Sequence, residues 1–206
     1  ASNAPVSLVV SGATTFCQGG SVTLSAPNGV SSVSWSNGQS GNSLVVNASG
    51  TYTATYVTNN GCTVTSNPVT VAVNPIPQPM ISSGSGQLAF CTGGSLVLNA
   101  STGASGYQWF RNGTAVTGAT SSSFTALLPG TYTVQSTTSS GCVGLSAAVQ
   151  IQEIALPTAS ISTSATSPVC VGDTVTLSAP SGFSYLWSNG ATTQSIEVWT
   201  SGSFTV

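Results

Sequence analysis

One ten-residue pattern occurs three times along this chain. It is Cys17-Gln18-Gly19-Gly20-Ser21-Val22-Thr23-Leu24-Ser25-Ala26, then Cys91-Thr92-Gly93-Gly94-Ser95-Leu96-Val97-Leu98-Asn99-Ala100, then Cys170-Val171-Gly172-Asp173-Thr174-Val175-Thr176-Leu177-Ser178-Ala179. Repetition on this scale makes each copy one structural unit, so it constrains the fold before any composition value does. A Trp follows each first cysteine at nearly fixed spacing: Trp35, Trp109 and Trp187. A Gly-Thr/Ser-aromatic-Thr stretch comes next: Gly50-Thr51-Tyr52-Thr53, Gly130-Thr131-Tyr132-Thr133 and Gly202-Ser203-Phe204-Thr205. Ten residues after Tyr52 and Tyr132 stand Cys62 and Cys142.

The copies start 74 and 79 residues apart, and the surplus lies between Trp109 and Tyr132. Three repeats are expected, at 1–75, 76–156 and 157–206. The third is expected to be incomplete, its closing cysteine falling eight residues past Val206 and leaving Cys170 unpaired. Asn74-Pro75-Ile76-Pro77-Gln78-Pro79 reads as a stiff, extended joint, and Ile154-Ala155-Leu156-Pro157 takes that part at the second boundary.

Within each copy the apolar residues alternate. Val22, Leu24 and Ala26 share one face, as do Tyr52, Ala54 and Tyr56, which is the period of a half-buried strand. Asn28-Gly29, Asn37-Gly38, Asn60-Gly61, Asn112-Gly113 and Asn189-Gly190 mark tight turns. No amphipathic helical stretch interrupts them. About seven short strands, a mid-copy Trp and a late Tyr predict an all-β chain of tandem Ig-like β-sandwich repeats. A closed β-barrel is the alternative.

Charge restricts function sharply. Charged residues make up 2% of the chain, against about 25% in ordinary soluble domains. Arg111 is the one cation, Glu153, Asp173 and Glu197 are the anions, and there is no Lys or His. Phosphate neutralisation needs several cations, so nucleic-acid binding is excluded. A hydrolytic triad lacks its histidine, and metal sites lack clustered ligands, so neither catalysis nor a metal or cofactor is expected. No apolar run is long enough to span a bilayer as a helix, and direct membrane insertion is not expected.

The Cys-x-Gly-x-Ser/Thr-Val/Leu-x-Leu stretches, Trp35-Ser36-Asn37-Gly38, Trp187-Ser188-Asn189-Gly190, the Gly-Thr-Tyr-Thr strands and Gly61-Cys62 carry a resemblance. The chain resembles the tandem Ig-like and PKD-like repeats of exported Bacteroidota surface proteins. Trp109-Phe110-Arg111-Asn112-Gly113 departs from the Trp-Ser-Asn-Gly form but still reads as a strand-end turn. The resemblance implies an extracellular, cell-surface location and a non-catalytic stalk, adhesin or filament role. Partners would be other copies or neighbouring repeats, and surface glycans. A carbohydrate-binding module beside a polysaccharide-acting enzyme is the alternative.

Specific residues follow from these readings. Cys17 with Cys62 and Cys91 with Cys142 would staple each repeat and fit an oxidising compartment. In an Ig topology those partners sit at opposite poles, and the rival is a staple between neighbours, such as Cys17 with Cys142. Trp35, Trp109 and Trp187 are expected core anchors. Trp199 has Asn47 and Leu127 as counterparts, so the fold does not demand an aromatic there. Burial under a local loop or in the truncated region is its simplest expectation, and stacking on a sugar ring or on a neighbouring chain its functional one. Arg111, on the enlarged loop running to Ser123, and Phe110 are further candidate ligand contacts. Asp173-Thr174-Val175 resembles a Bacteroidota O-glycosylation site at Thr174, while Asn47, Asn99 and Asn112 match the N-linked pattern that chance alone produces in so Ser/Thr-rich a chain. A near-neutral surface without edge lysines also favours side-by-side or end-to-end association.

Overall fold

The computed structural model describes residues 7–166 and 168–206. The described residues are strands, turns and loops throughout. The first repeat contributes β1 (Val9–Ser11), β2 (Thr15–Cys17), β3 (Val22–Ser25), β4 (Val30–Trp35), β5 (Ser43–Val46), β6 (Gly50–Tyr52), β7 (Ala54–Thr58), β8 (Thr63–Thr65) and β9 (Val69–Asn74). The second contributes β10 (Ile81–Ser83), β11 (Ala89–Cys91), β12 (Leu96–Ala100), β13 (Gly106–Arg111), β14 (Thr114–Ala115), β15 (Ser123–Ala126), β16 (Gly130–Thr137), β17 (Val143–Leu145) and β18 (Val149–Ile154). In the third lie β19 (Ser162–Thr163), β20 (Val175–Ser178) and β21 (Ser195–Val198).

Each of the first two repeats is an Ig-like sandwich. One sheet has the order β1-β3-β5, repeated as β10-β12-β15. The other runs β11-β18-β16-β13-β14 in the second repeat, with β17 also on β16. In the first repeat it is split into β2-β9-β6 and β4-β7-β8. Among the described residues no pairing joins the two sheets, so they stack and do not close into the alternative barrel. The core follows from the alternation: Val22 and Leu24 on β3 and Leu44 and Val46 on β5 point at Trp35, Ala54, Tyr56 and Val71. Leu96, Leu98, Trp109, Ala126, Tyr132, Val134 and Ile151 do the same in the second repeat.

Two buried serines, which the sequence reading overlooked, hold the same place in the second sheet of both repeats. Ser66 Oγ accepts from the Ala54 amide and Ser146 Oγ from the Val134 amide, each at 3.0 Å. The backbone amides of Ser66 and Ser146 donate back to Ala54 O and Val134 O at 2.8 and 2.9 Å, and each hydroxyl keeps a buried strand amide paired. Their signal was the common offset of four residues from Cys62 and Cys142.

The first two repeats form one compact unit, Ala1–Ile154, and the remainder a second, Ala155–Val206. The division falls between 154 and 155, where the sequence spacing suggested 156 and 157. The second unit carries the sheet β19-β20-β21 and its own core of Leu177, Ala179, Trp187 and Ile196. Its Ser188 amide donates to Thr205 O as the Ser36 amide donates to Thr53 O, both at 2.9 Å. Local structure thus follows the repeat up to the last described residues.

Candidate functional site

Two kinds of turn place the cysteines. Each first cysteine opens a β-turn in which Gly20, Gly94 and Asp173 amides donate to the carbonyls of Cys17, Cys91 and Cys170 at 3.0, 2.8 and 3.2 Å. The third residue of the turn lies at positive φ: +91° at Gly19, +79° at Gly93 and +97° at Gly172. Glycine takes that conformation without steric cost, which is why the motif is Cys-x-Gly. The strand before the turn runs parallel to the last strand of its own repeat, with Cys17 opposite Asn74 and Cys91 opposite Ile154. The first cysteine therefore sits where its repeat ends, beside the joint to the next.

The second cysteine sits at the other pole, in the hairpin between β7 and β8 or between β16 and β17. Gly61 and Gly141 amides donate to Thr58 O and Thr138 O at 2.8 and 2.9 Å. Both glycines are left-handed, at +77° and +78°, as a type I turn with a terminal bulge requires. Thr58 Oγ1 and Thr138 Oγ1 then accept from the cysteine amides at 3.3 and 3.1 Å. The pole of this hairpin is also where the chain enters the repeat.

This arrangement brings Cys17 to Cys142. They are bonded, with Cα atoms 5.6 Å apart across a sequence separation of 125. The bridge spans the joint between the first two repeats. The expected pairings Cys17–Cys62 and Cys91–Cys142 are thereby corrected. Residues 63–74 run from one pole to the other at about 3.3 Å per strand residue, so an intra-repeat pair stands far outside the ~7 Å Cα limit. Cys62, Cys91 and Cys170 are unbridged and exposed.

The joint is packed as well as bonded. Cys142 is fully buried, and its sulfur lies 4.0 Å from Asn74 O. A Cβ on Gly144 would overlap the Pro77 carbonyl oxygen and come within 3.2 Å of Ile76 Cγ2. Only glycine lets the joint approach β17 so closely. Ser136, buried on β16, lies under Pro77–Pro79 at a cavity of ≈ 130 Å³. The first repeat has Tyr56 and Val64 at these two places, both buried in its own core.

The remaining candidates separate into core and surface. Trp35, Trp109 and Trp187 are 3%, 0% and 1% exposed, and their ring N–H groups donate to Gly41 O, Ser121 O and Thr193 O at 2.8, 2.9 and 2.8 Å. Trp199 is 71% exposed, so no local loop buries it. It follows β21 directly, a place that is exposed in every repeat, since Asn47 and Leu127 are exposed too. With Val169, Val171, Asp173 and Val198 it lines an open groove of ≈ 380 Å³.

Arg111 is the last residue of β13, not a loop-tip residue, and its Nε donates to Pro129 O at 3.1 Å. It borders a groove of ≈ 450 Å³ with Phe124, Leu127 and Leu128. The nearby Tyr132 phenol donates to Leu128 O at 2.7 Å. Burial pushes its pKa up, and the Arg111 charge partly offsets this. Phe110 is half-buried beside Gln135, Val143 and Leu145 in a separate groove of ≈ 350 Å³. The structure does not bring Trp199, Arg111 and Phe110 into one site; they lie on different grooves. Thr174 is exposed before β20, Asn47 and Asn112 are exposed, and Asn99 is half-buried. Asn112 Oδ1 accepts from the Thr131 amide at 2.9 Å. Among the described residues, no group of three His, Cys, Asp or Glu side chains is placed to hold a metal. No helix of the described residues is long and apolar enough to cross a membrane.

No protein-family model matches the chain, and no curated protein does. Among solved structures it is similar to murine CEACAM1b, at 15% identity over 73% of this chain and 99% of that one, with a TM-score of 0.36. It is also similar to the fibronectin(III)-like modules of Clostridium thermocellum CbhA, at 13% identity over 68% and 89%, with a TM-score of 0.32. The human OSCAR ligand-binding domain gives 19% identity over 70% and 97%, with a TM-score of 0.34. At such values the Ig-like assignment rests on the strand order and the repeated cores themselves.

Proposed function

We propose that the chain is a non-catalytic structural segment of an extracellular surface protein, in which Ig-like repeats are fastened end to end as a stalk. The observation that carries this is the Cys17–Cys142 bridge across the joint. A bridge inside a domain stabilises that domain, whereas a bridge between domains restricts their relative motion. Domains joined only by a linker move relative to one another by default. A bridge, a proline-rich joint and a glycine-carved docking surface all oppose that motion here. A disulfide also fits an oxidising compartment. The Cys-x-Gly and Trp-Ser-Asn-Gly motifs support a cell-surface protein of the exported Bacteroidota repeat kind. Neighbouring repeats or other copies are the partners, and near-neutral sheet edges favour their association.

Inter-repeat distance distributions from spin labels at exposed Val45 and Val97 test this. The expected result is one narrow distance with the bridge closed and a broad one after reduction. Equal breadth in both states overturns the stalk reading.

The second reading, carbohydrate binding, is favoured by the exposure of Trp199 over its groove. Aromatic faces are common platforms for apolar ligand faces. Saturable polysaccharide binding abolished in Trp199→Ala would establish it, and an absence of binding across a glycan array would remove it.

A further inference from the structure

The groove beside Arg111 lies between two unpaired strand edges of the second repeat, and we infer that it binds an extended peptide segment carrying an acidic side chain. The peptide's carboxylate meets Arg111, its apolar side chains cover Phe124, Leu127 and Leu128, and its main chain pairs with the edge of β15.

The two edges come from the two sheets. β15 ends the order β10-β12-β15, and β14 ends the order β11-β18-β16-β13-β14. In an antiparallel pair, successive residues turn their N–H and C=O alternately toward the partner strand and away from it. The Ala100 amide donates to Ser122 O, which puts the bonded pairs at Leu98 with Phe124 and Leu96 with Ala126. Thr125, between them, turns its N–H and C=O away from β12. The Val116 amide donates to Trp109 O, so Ala115, opposite Phe110, likewise turns both groups away from β13. Thr125 and Ala115 line the same groove. Free edge groups of this kind are what an added strand binds.

A positioned cation borders the groove. Arg111 Nε donates to Pro129 O at 3.1 Å, and this is the one hydrogen bond its side chain makes among the described residues. A Cβ on Gly130 would lie 3.2 Å from Nε, so glycine there lets the guanidinium rest against the backbone. The other guanidinium N–H groups are left for a carboxylate, which they bind through charged hydrogen bonds. The compact unit Ala1–Ile154 holds one acid, Glu153, and it stands on β18, two strands from β13. No acid of this unit neighbours Arg111, and the complementary charge is left to a ligand.

The first repeat shows that the sandwich does not require these features. Leu44 pairs with Leu24 as Phe124 pairs with Leu98, which aligns Asn47 and Ala48 with Leu127 and Leu128. Leu127 and Leu128 are 67% and 52% exposed, an apolar pair set in water where the first repeat has a polar residue and a small one. β4 ends at Trp35, whereas β13 runs two residues past Trp109 to Arg111 and turns into β14. β5 also ends its sheet, but it has neither the cation nor the leucine pair beside it.

The test is a titration of the intact oxidised chain with the peptide Val-Thr-Glu-Thr-Val, blocked at both ends. In an extended strand its Val and Glu side chains share one face. Amide NMR shifts should saturate at Thr125, Ala115 and Leu127, with Val45 on the edge of the first repeat unmoved. Replacing the peptide's Glu by Gln should weaken binding about tenfold or more, the worth of one hydrogen bond to a charged group. Arg111→Gln should weaken the Glu peptide equally and abolish the difference between the two peptides. Leu127→Asn, which installs the exposed residue of the first repeat and touches no core, should weaken both peptides alike. Equal binding of the two peptides by the native chain overturns the inference, as does an equal response at Val45 or no response at millimolar peptide. Shifts at the same residues with polygalacturonate, but none with the peptide, overturn it in favour of an acidic glycan. An unblocked Gln peptide that binds as tightly as the blocked Glu peptide overturns it in favour of a free C-terminus. The stalk reading stands under each of these outcomes.

Discussion

Tyr56 and Ser136 hold the same position on the long strand of successive repeats, and both are buried with a hydroxyl that has no hydrogen-bond partner. In the first repeat the phenol ring fills the pole of its own sandwich. In the second, a small side chain leaves that volume to the joint, whose Pro77–Pro79 segment lies over it. Val64 and Gly144 make the same exchange on the neighbouring strand. Side-chain volume, not backbone topology, distinguishes a pole that accepts a joint from one that closes on itself.

Gly144→Val tests that statement, since it installs the residue that the first repeat uses. The new Cβ meets backbone, which cannot swing aside as a side chain can. Overpacking of this kind costs about 1–3 kcal/mol. The cost falls on the docked joint, because each sandwich keeps its own core. Reduction of Cys17–Cys142 by a mild thiol should become roughly tenfold faster or more, at about 1.4 kcal/mol per tenfold. The reduction time course read by alkylation checks this.

Trp109→Ala and Trp199→Ala should differ by several kcal/mol. Trp109 is wholly buried, stacks on Phe124 at 5.7 Å between ring centroids and donates to Ser121 O. Its truncation should cost about 3–5 kcal/mol. Trp199 is mostly exposed, and its truncation should stay within about 0.5 kcal/mol. Denaturant unfolding of the two variants measures both values, and acrylamide quenching should be lost chiefly with Trp199.

Alkaline pH should weaken the second repeat through Tyr132. Burial raises its folded-state pKa above the usual ~10, with Arg111 opposing. The unfolded chain then releases its phenolic proton at a lower pH than the folded chain does. This contribution is complete below the unfolded value and is lost as pH rises through the folded one. Tyr132→Phe should flatten that alkaline decline while losing one hydrogen bond at neutral pH, about 1 kcal/mol. Unfolding midpoints of both proteins across the alkaline range decide the matter.

The repeat, the strands and the core tryptophans were legible because each is a local pattern. Alternation on β3 and β5, and Trp35, Trp109 and Trp187 at fixed spacing, needed no knowledge of neighbours. The bridge was only half legible. The sequence places Cys17 and Cys142 in recognisable turns, but it does not state that β2 runs parallel to β9 and so carries Cys17 to the end of its repeat. Sequence proximity favoured Cys62, and non-local pairing overruled it. Trp199 is exposed for a related reason: it stands just past the end of β21, a position that sequence spacing alone does not reveal. Ser66 and Ser146 were invisible because serine is common here and their role depends on one buried amide each.

Breaking the bridge should separate the unfolding of the first two repeats. Chain-entropy reasoning for a closed loop of this length gives roughly 5 kcal/mol, an upper value because the two cores form independently. What the bridge adds is coupling. With it closed, unfolding of either repeat releases the docked joint and exposes Cys142 and Gly144, so the partner loses packing at the same time. With Cys17→Ser and Cys142→Ser together, which leaves no new unpaired thiol, the joint keeps only the Ile76 and Pro77 contacts. For the first two repeats, calorimetry of the oxidised protein should show one shared transition, distinct from any contribution of residues 155–206, with a van't Hoff enthalpy close to its calorimetric one. In the double variant that shared transition should split into two, each smaller than the original. A single unchanged transition in the double variant would mean that packing at Gly144 alone couples the repeats, and that the disulfide is redundant to their cooperation.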